Sequence, residues 1–343
     1  MTAREYLLAV QDQSGGAIPF HRYMQDALYH PDFGYYAANI REVGRRGDFA
    51  TWPTLHPSLA RAVAAWIGKA RDVIEVGAGN GEMARAILEC VGWFGRRRLR
   101  YHIVEASPTL RNAQASRLRG SGVRWHEDVA AALRETGGCA HIFSNELVDA
   151  FPCRVFERGE YGWHELALRV EDARIAEVLL SVTTLPDSSL FAESAKQGSR
   201  VEVHDSYRSW LAMWAGGWRS GSLLTIDYGG TMPALTHRRP RGSLRAYAHH
   251  QRLCGQDVYG GFGKRDITAD VNFSDLDAWG RSLGWDTQRL TTLREWLSPA
   301  VAVPDAFSGA AEAFYVLIQT PGIPVTSEKL ALTVRGEENI LSA

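Results

Sequence analysis

The 343-residue chain is 45% hydrophobic and 22% charged, which excludes a disordered polypeptide and allows about two domains, or one with large additions. Its formal charge of −1 gives no overall positive field that would point to nucleic acid or an anionic membrane as partner. Its four cysteines, Cys90, Cys139, Cys153 and Cys254, form no Cys-x-x-Cys pair and have no histidine cluster at ligand spacing, which argues against a disulfide framework or a structural metal.

Residues 1–66 read as a helical cap. Ile18-Pro19-Phe20 leads into Tyr23, Met24, Ala27 and Leu28, an apolar stripe at helical spacing that Pro31 and Gly34 end. Tyr35-Tyr36, read as core packing, precede a loop with Gly44 and Gly47. From Pro57 the run Leu59, Ala62, Val63, Trp66 and Ile67 predicts a second amphipathic helix. Residues 67–152 alternate strand and helix, with strands expected at 72–77, 100–105, 123–126 and 141–145, the pattern of parallel βαβ units in a doubly wound sheet. Residues 153–220 interrupt it with an expected hairpin over 154–168 and a helix over 201–214. The alternation resumes in 221–322 with a fifth core strand at 222–229 and weaker candidates at 287–290 and 314–318. Residues 323–343 read as a tail. The first ten residues carry Arg4 and Glu5 without a signal-type apolar stretch, and no run approaches the roughly 20 apolar residues of a membrane span. The expectation is a soluble, cytoplasmic protein.

The sharpest local signal is Glu75-Val76-Gly77-Ala78-Gly79-Asn80-Gly81. Glycines after a strand let the backbone turn tightly and let a ligand approach main-chain amides at a helix start. A dinucleotide fold spaces them G-x-G-x-x-G, whereas this chain has G-x-G-x-G with Glu75 just before. That variant suits S-adenosylmethionine, whose ammonium a nearby carboxylate can pair. Glu105 closes the second strand, where an acid accepts ribose hydroxyls, and Ala106-Ser107 follow it. Asp128, after the third strand, would accept from the adenine amino group. Each acid read alone is a solvated strand end.

The fourth strand ends in Asn145-Glu146-Leu147-Val148-Asp149, at the sheet edge where ligands lie. Asn145 is expected beside the donor, with Glu146 and Asp149 facing the methyl acceptor; one of these residues would instead cap the next helix. Asp227 and Tyr228, at the end of the fifth strand, are second candidates. His250 is the candidate base for a hydroxyl or neutral amine acceptor, and Asp48-Phe49 a candidate lid.

These residues carry a resemblance. Ile18-Pro19-Phe20, Gly34-Tyr35-Tyr36, Gly47-Asp48-Phe49, the glycine turn, Glu105-Ala106-Ser107-Pro108 with Gln114, Asn145-Glu146, Ile226-Asp227-Tyr228-Gly229 and Gly242-Ser243-Leu244-Arg245 occur in order between about residues 16 and 320. Together they resemble the MidA family of class I S-adenosylmethionine-dependent methyltransferases, whose mitochondrial members methylate an arginine during respiratory complex I assembly. The resemblance implies a Rossmann-like sheet with an insertion between the fourth and fifth core strands, S-adenosylmethionine as donor and S-adenosylhomocysteine as product. Thr54 stands where the family has a glutamate, and Asp270 and Asn272 stand where it has His and Asp. Three readings stay open: a protein (arginine) methyltransferase, a small-molecule or peptide N- or O-methyltransferase, and a non-catalytic assembly factor that retains the fold. The expected partner is a methyl acceptor, with neither nucleic acid nor membrane, no metal, and room for a homodimer through the 154–170 insert.

Overall fold

The computed structural model describes residues 1–39, 57–172, 174–191, 195–248, 251–297, 309 and 311–322. Gly44, Gly47, Asp48, Phe49, Thr54, His250 and the 323–343 tail lie outside them.

The chain opens with a helix that the apolar pattern did not predict, α1 (Ala3–Gln13), closed by a reciprocal capping box between Thr2 and Glu5. Strand β1 (Ile18–Pro19) leads into α2 (Phe20–Tyr29), whose Phe20, Tyr23, Met24, Ala27 and Leu28 are all buried. A wide helical turn follows at Tyr35–Asn39. Helix α3 (Ser58–Ile67) buries Leu59, Ala60 and Val63 with Met83, Ile87 and Leu88, so it belongs to the sheet's core and not to the cap.

The alternating segment forms β2 (Asp72–Val76), α4 (Glu82–Arg98), β3 (Arg100–Val104), α5 (Pro108–Arg117), β4 (Arg124–His126), α6 (Val129–Thr136) and β5 (His141–Asn145). Every residue of β2 is buried, as a strand covered on both faces requires. Val73 points into the cluster shared with α3 and α4, and Ile74 into the opposite one under α6.

The insertion is larger than a hairpin. It holds β6 (Arg154–Arg158), β7 (Trp163–Val170), β8 (Ile175–Ser181) and β9 (Arg200–Val203) before α7 (Asp205–Ala215). The helix expected over 201–214 thus begins four residues late: Val201 and Val203 lie on β9, paired with Phe156 and Arg154, and their alternation about Glu202 is a strand's. β1 pairs with β7, so cap and insertion share one five-stranded sheet and one apolar cluster.

The chain returns through β10 (Leu223–Gly230), α8 (Ala234–Arg238), β11 (Arg245–Ala248), β12 (Gln251–Cys254), β13 (Asp266–Thr268), β14 (Val271–Asn272), α9 (Phe273–Ser282), β15 (Trp285–Thr292), α10 (Leu293–Leu297) and β16 (Phe314–Pro321). The central sheet runs β15-β16-β10-β5-β2-β3-β4. β4, β3, β2, β5 and β10 are parallel neighbours, and β16 joins β10 and β15 antiparallel. The strand order reverses between β2 and β5, and there the carboxyl ends open a crevice. Among the described residues no helix is long and apolar enough to cross a membrane.

Candidate active site

A cavity of about 960 Å³ opens at this switch point, the volume of a site for a nucleoside-sized ligand. Its floor is the turn after β2. Gly77, Gly79 and Gly81 all have positive φ, at 71°, 53° and 80°, a left-handed path that side chains disfavour. A Cβ on Gly77 would also lie 2.8 Å from Leu147 Cδ1. Glu75 is buried, lines the cavity and accepts a 2.7 Å bond from the Tyr101 hydroxyl. Burial pushes its carboxyl up to about 7, against that bond and with Glu105 adding to it.

Glu105 is the hub of the next strand end. Its Oε1 accepts the Ser107 amide at 2.9 Å, and its Oε2 accepts Gln114 Nε2 at 2.9 Å. A carboxylate offers about four acceptor sites, so capacity remains for a ligand in the cavity it lines. Gln114 also donates to the Gly79 carbonyl at 2.8 Å and accepts from Trp125 Nε1 at 3.0 Å. One amide thereby ties the glycine turn, Glu105 and β4 together. Ser107 caps α5 through Leu110 and reaches the Tyr36 carbonyl at 2.7 Å. Ala78, Gly79, Ala106, Ser107 and Asp128 all line the cavity. Asp128 also caps α6, accepting from Ala131 at 2.6 Å, so the capping role and the cavity position coexist.

At the end of β5, Asn145 Nδ2 donates to Glu146 Oε1 at 3.1 Å, and Asn145 Oδ1 is buried with no hydrogen-bond partner among the described residues. An orphaned acceptor on the wall of a ligand cavity fits a cationic or N–H-bearing group such as the donor's ammonium. Glu146 has φ 51°, rare for a side-chain-bearing residue and typical of functional turns. Asp149 lines the cavity and is buried; its carboxyl is lifted well above the ordinary range by burial, then by Asp227, Asp266 and Glu146.

Asp227 plays a different part from the one expected of it. It is fully buried and is not a lining residue. Its Oδ2 accepts the amides of Val148, Leu147 and Asp149 at 2.8, 3.1 and 3.3 Å, and its Oδ1 accepts the Tyr228 amide at 2.8 Å. It shapes the loop that presents Glu146 and Asp149. Tyr228 does line the cavity, packed on Phe314 with ring centres 3.9 Å apart.

Tyr35 is core, as expected, but Tyr36 is a cavity residue whose hydroxyl donates to Asp266 Oδ1 at 2.8 Å. The single-residue step between them turns one ring in and the other out, which the sequence pair does not signal. Arg245, Asp266 and Trp210 also line the cavity. Arg245 lies in a segment that carries the resemblance, but neither it nor Asp266 is marked as a site residue by its sequence neighbours, because β11 and β13 reach the crevice only through tertiary packing. Arg245 Nη1 is paired to Asp270 Oδ1 at 2.5 Å, and its guanidinium lies 5.5 Å from the Tyr228 ring.

A family model described as "Putative S-adenosyl-L-methionine-dependent methyltransferase" matches residues 58–291. The Danio rerio protein arginine methyltransferase NDUFAF7, mitochondrial, is 26% identical over a 298-residue alignment that covers 76% of this chain and 68% of that one. Its Xenopus tropicalis namesake is 27% identical over 301 residues, with 76% and 67% covered. Among solved structures, a Burkholderia thailandensis protein described as a "likely methyl transferase", bound to S-adenosyl-homocysteine, is similar with a TM-score of 0.82. It is 28% identical, covering 94% of this chain and 92% of that one.

Proposed function

The chain belongs to the MidA-like family of S-adenosyl-L-methionine-dependent methyltransferases, and from that premise we propose that its acceptor is a guanidinium, an arginine side chain on a protein. The observation that carries this is the charge of the acceptor wall. Glu146, Asp149 and Asp266 line one cavity, and Asp227 lies behind them. The Arg245 cation beside them is already paired to Asp270. Burial first, and then like charges, raise the Asp149 carboxyl, so an incoming cation relieves the repulsion and favours the ionised form. The related arginine methyltransferases of fish and frog point the same way.

The bound donor supplies an electrophilic methyl group on a sulfonium. The protein's work is to align a nitrogen with that methyl and to exclude water; alignment of this kind removes several kcal/mol of barrier. Gly77 and Gly79 admit the donor to the main chain, Gly81 lets the turn pack close to Gln114 and Leu118, Glu105 holds the donor's sugar, and Glu75 and Asn145 face its amino-acid end. Ionised Glu146 and Asp149 hold the guanidinium, and Asp149 accepts the proton the nitrogen releases once it is methylated.

The small-molecule reading drew on Thr54, which lies outside the described residues, and on Asp270, a departure that Asn272 accompanies. Asp270 pairs with Arg245, and Asn272 caps α9 by accepting from the Ser274 amide, so both departures have structural roles. We further propose a reducing compartment, in keeping with four free cysteines. The deciding experiment incubates the protein with isotopically labelled donor and cell extract, then hydrolyses the labelled product. Methylarginine in polypeptide is expected. Label confined to small solutes would replace this acceptor, and absence of transfer with intact donor binding would support an assembly role.

A further inference from the structure

We propose that His102, His126 and Glu135 hold a divalent transition-metal ion of the zinc class, at a site apart from the donor cavity. None of the three lines that cavity. His102 lies on β3 and His126 on β4, where His126 faces Val104, so the two histidines are diagonal neighbours on the same side of a parallel pair. Glu135 stands in the last turn of α6 beside those strands. One ligand atom from each, two imidazole nitrogens and a carboxylate oxygen, lie within 4.8 Å of one another.

The surroundings set each ligand for coordination. His102 Nε2 is 3.2 Å from Asp72 Oδ1, and Asp72 accepts from the Arg100 guanidinium through bonds of 2.6 and 2.7 Å. The Nε2 proton therefore points at Asp72, and His102 Nδ1 presents a lone pair towards His126 Nε2, 2.9 Å away. A carboxylate behind a ligating histidine, fixing its tautomer and raising its basicity, is the usual outer support of such sites. Glu135 divides its oxygens in the same sense: Oε1 pairs with Arg124, and Oε2 is turned to His126 Nε2 at 3.7 Å. Two histidines, one carboxylate and an open position form a donor set that suits zinc.

Such an ion would tie the three-residue β4 to β3 and α6. Trp125, next to His126, bonds Gln114 and through it Glu105, so the ion would brace the third strand that the cofactor cavity leans on. This inference does not depend on the identity of the methyl acceptor.

The test strips the full-length protein with chelator, titrates it calorimetrically with zinc chloride, and repeats the titration with cobalt(II) to read visible absorption. One site per chain is expected, with visible bands of four-coordinate cobalt. The near-ultraviolet charge-transfer band that thiolates of Cys90, Cys139 or Cys254 would give should be absent. His126→Ala should abolish binding. Glu135→Gln, a partly exposed position that leaves the core intact, should weaken it at least about tenfold. Circular dichroism monitors the fold of both variants, and Glu135→Gln decides the matter if His126→Ala unfolds. Absence of zinc binding, a thiolate band, or equal affinity in wild type and Glu135→Gln would overturn the site and leave a plain Asp72–His102–His126 hydrogen-bond chain.

Discussion

Glu105 and Asp149 are both buried carboxyls on one cavity, yet their partners separate their work. Glu105 is surrounded by donors, the Ser107 amide and Gln114, which favour its ionised form against burial. Glu105→Ala is therefore expected to weaken donor binding by about 10- to 100-fold, the worth of hydrogen bonds to a charged group, as read by calorimetry. Asp149 is surrounded by other acids. Asp149→Asn should lower kcat/KM by about a hundredfold while donor affinity stays largely unchanged; loss of donor binding would contradict its placement on the acceptor side. The same raised carboxyl fixes a pH response. As pH falls Asp149 takes up a proton earlier than an ordinary carboxylate and ceases to hold a cation, so kcat/KM should begin to decline above the ordinary carboxylate range. A pH profile of wild type against Asp149→Asn checks this, since the acid limb should flatten in the variant.

The loop after β5 shows how one element is built to present others. Its amides at 147, 148 and 149 converge on a single oxygen of Asp227, which is itself held at the end of a buried strand. Asp227→Ala leaves four backbone donors without this partner, two buried and two part-buried, at a cost of about 1 kcal/mol for each buried one and less for the others. We expect a loss of about 3 kcal/mol in denaturant unfolding and reduced turnover even where donor binding persists. Local pattern placed Asp227 at the crevice, because the ends of parallel strands meet there. Whether its side chain turned to the ligand or to the backbone depended on a loop 78–80 residues away in sequence. The same limit explains 201–203, where a short run of alternating residues became strand only because β6 offered a partner.

Across the molecule, cap and insertion close over one end of the central sheet through β1 and β7, and the buried titratable groups make its stability depend on pH. Glu75 and Asp227 carry folded values of about 7 against ordinary values of 4.5 and 3.8, so the folded state binds more protons than the unfolded chain just above neutrality. Stability of the donor-free protein should therefore rise as pH drops from about 8.5 towards 7. His204, lowered to about 4 by burial from an ordinary 6.5, acts oppositely: below about 6.5 the unfolded chain binds the proton that the folded state refuses. Two carboxyls gaining protons outweigh one imidazole refusing one, so thermal unfolding should show the rise continue below pH 7 with a reduced slope below about 6.5, and Glu75→Gln should flatten it. A melting temperature that climbs with pH from 7 to 8.5 would contradict the assignment.

Strand–helix alternation from β2 to β5, the glycine turn, the acid at the end of the second strand and the family to which the chain belongs were all legible in the order of residues. Each depends on contacts within one βαβ unit, where local period and turn chemistry are enough. Three features needed the folded molecule: Tyr36, Arg245 and Asp266 at the cavity wall; the turning of Asp227 away from the cavity; and the meeting of His102, His126 and Glu135. Those rest on side chains from distant segments, and their orientation follows from which strands pair and which face each covers, which no single stretch of the chain encodes.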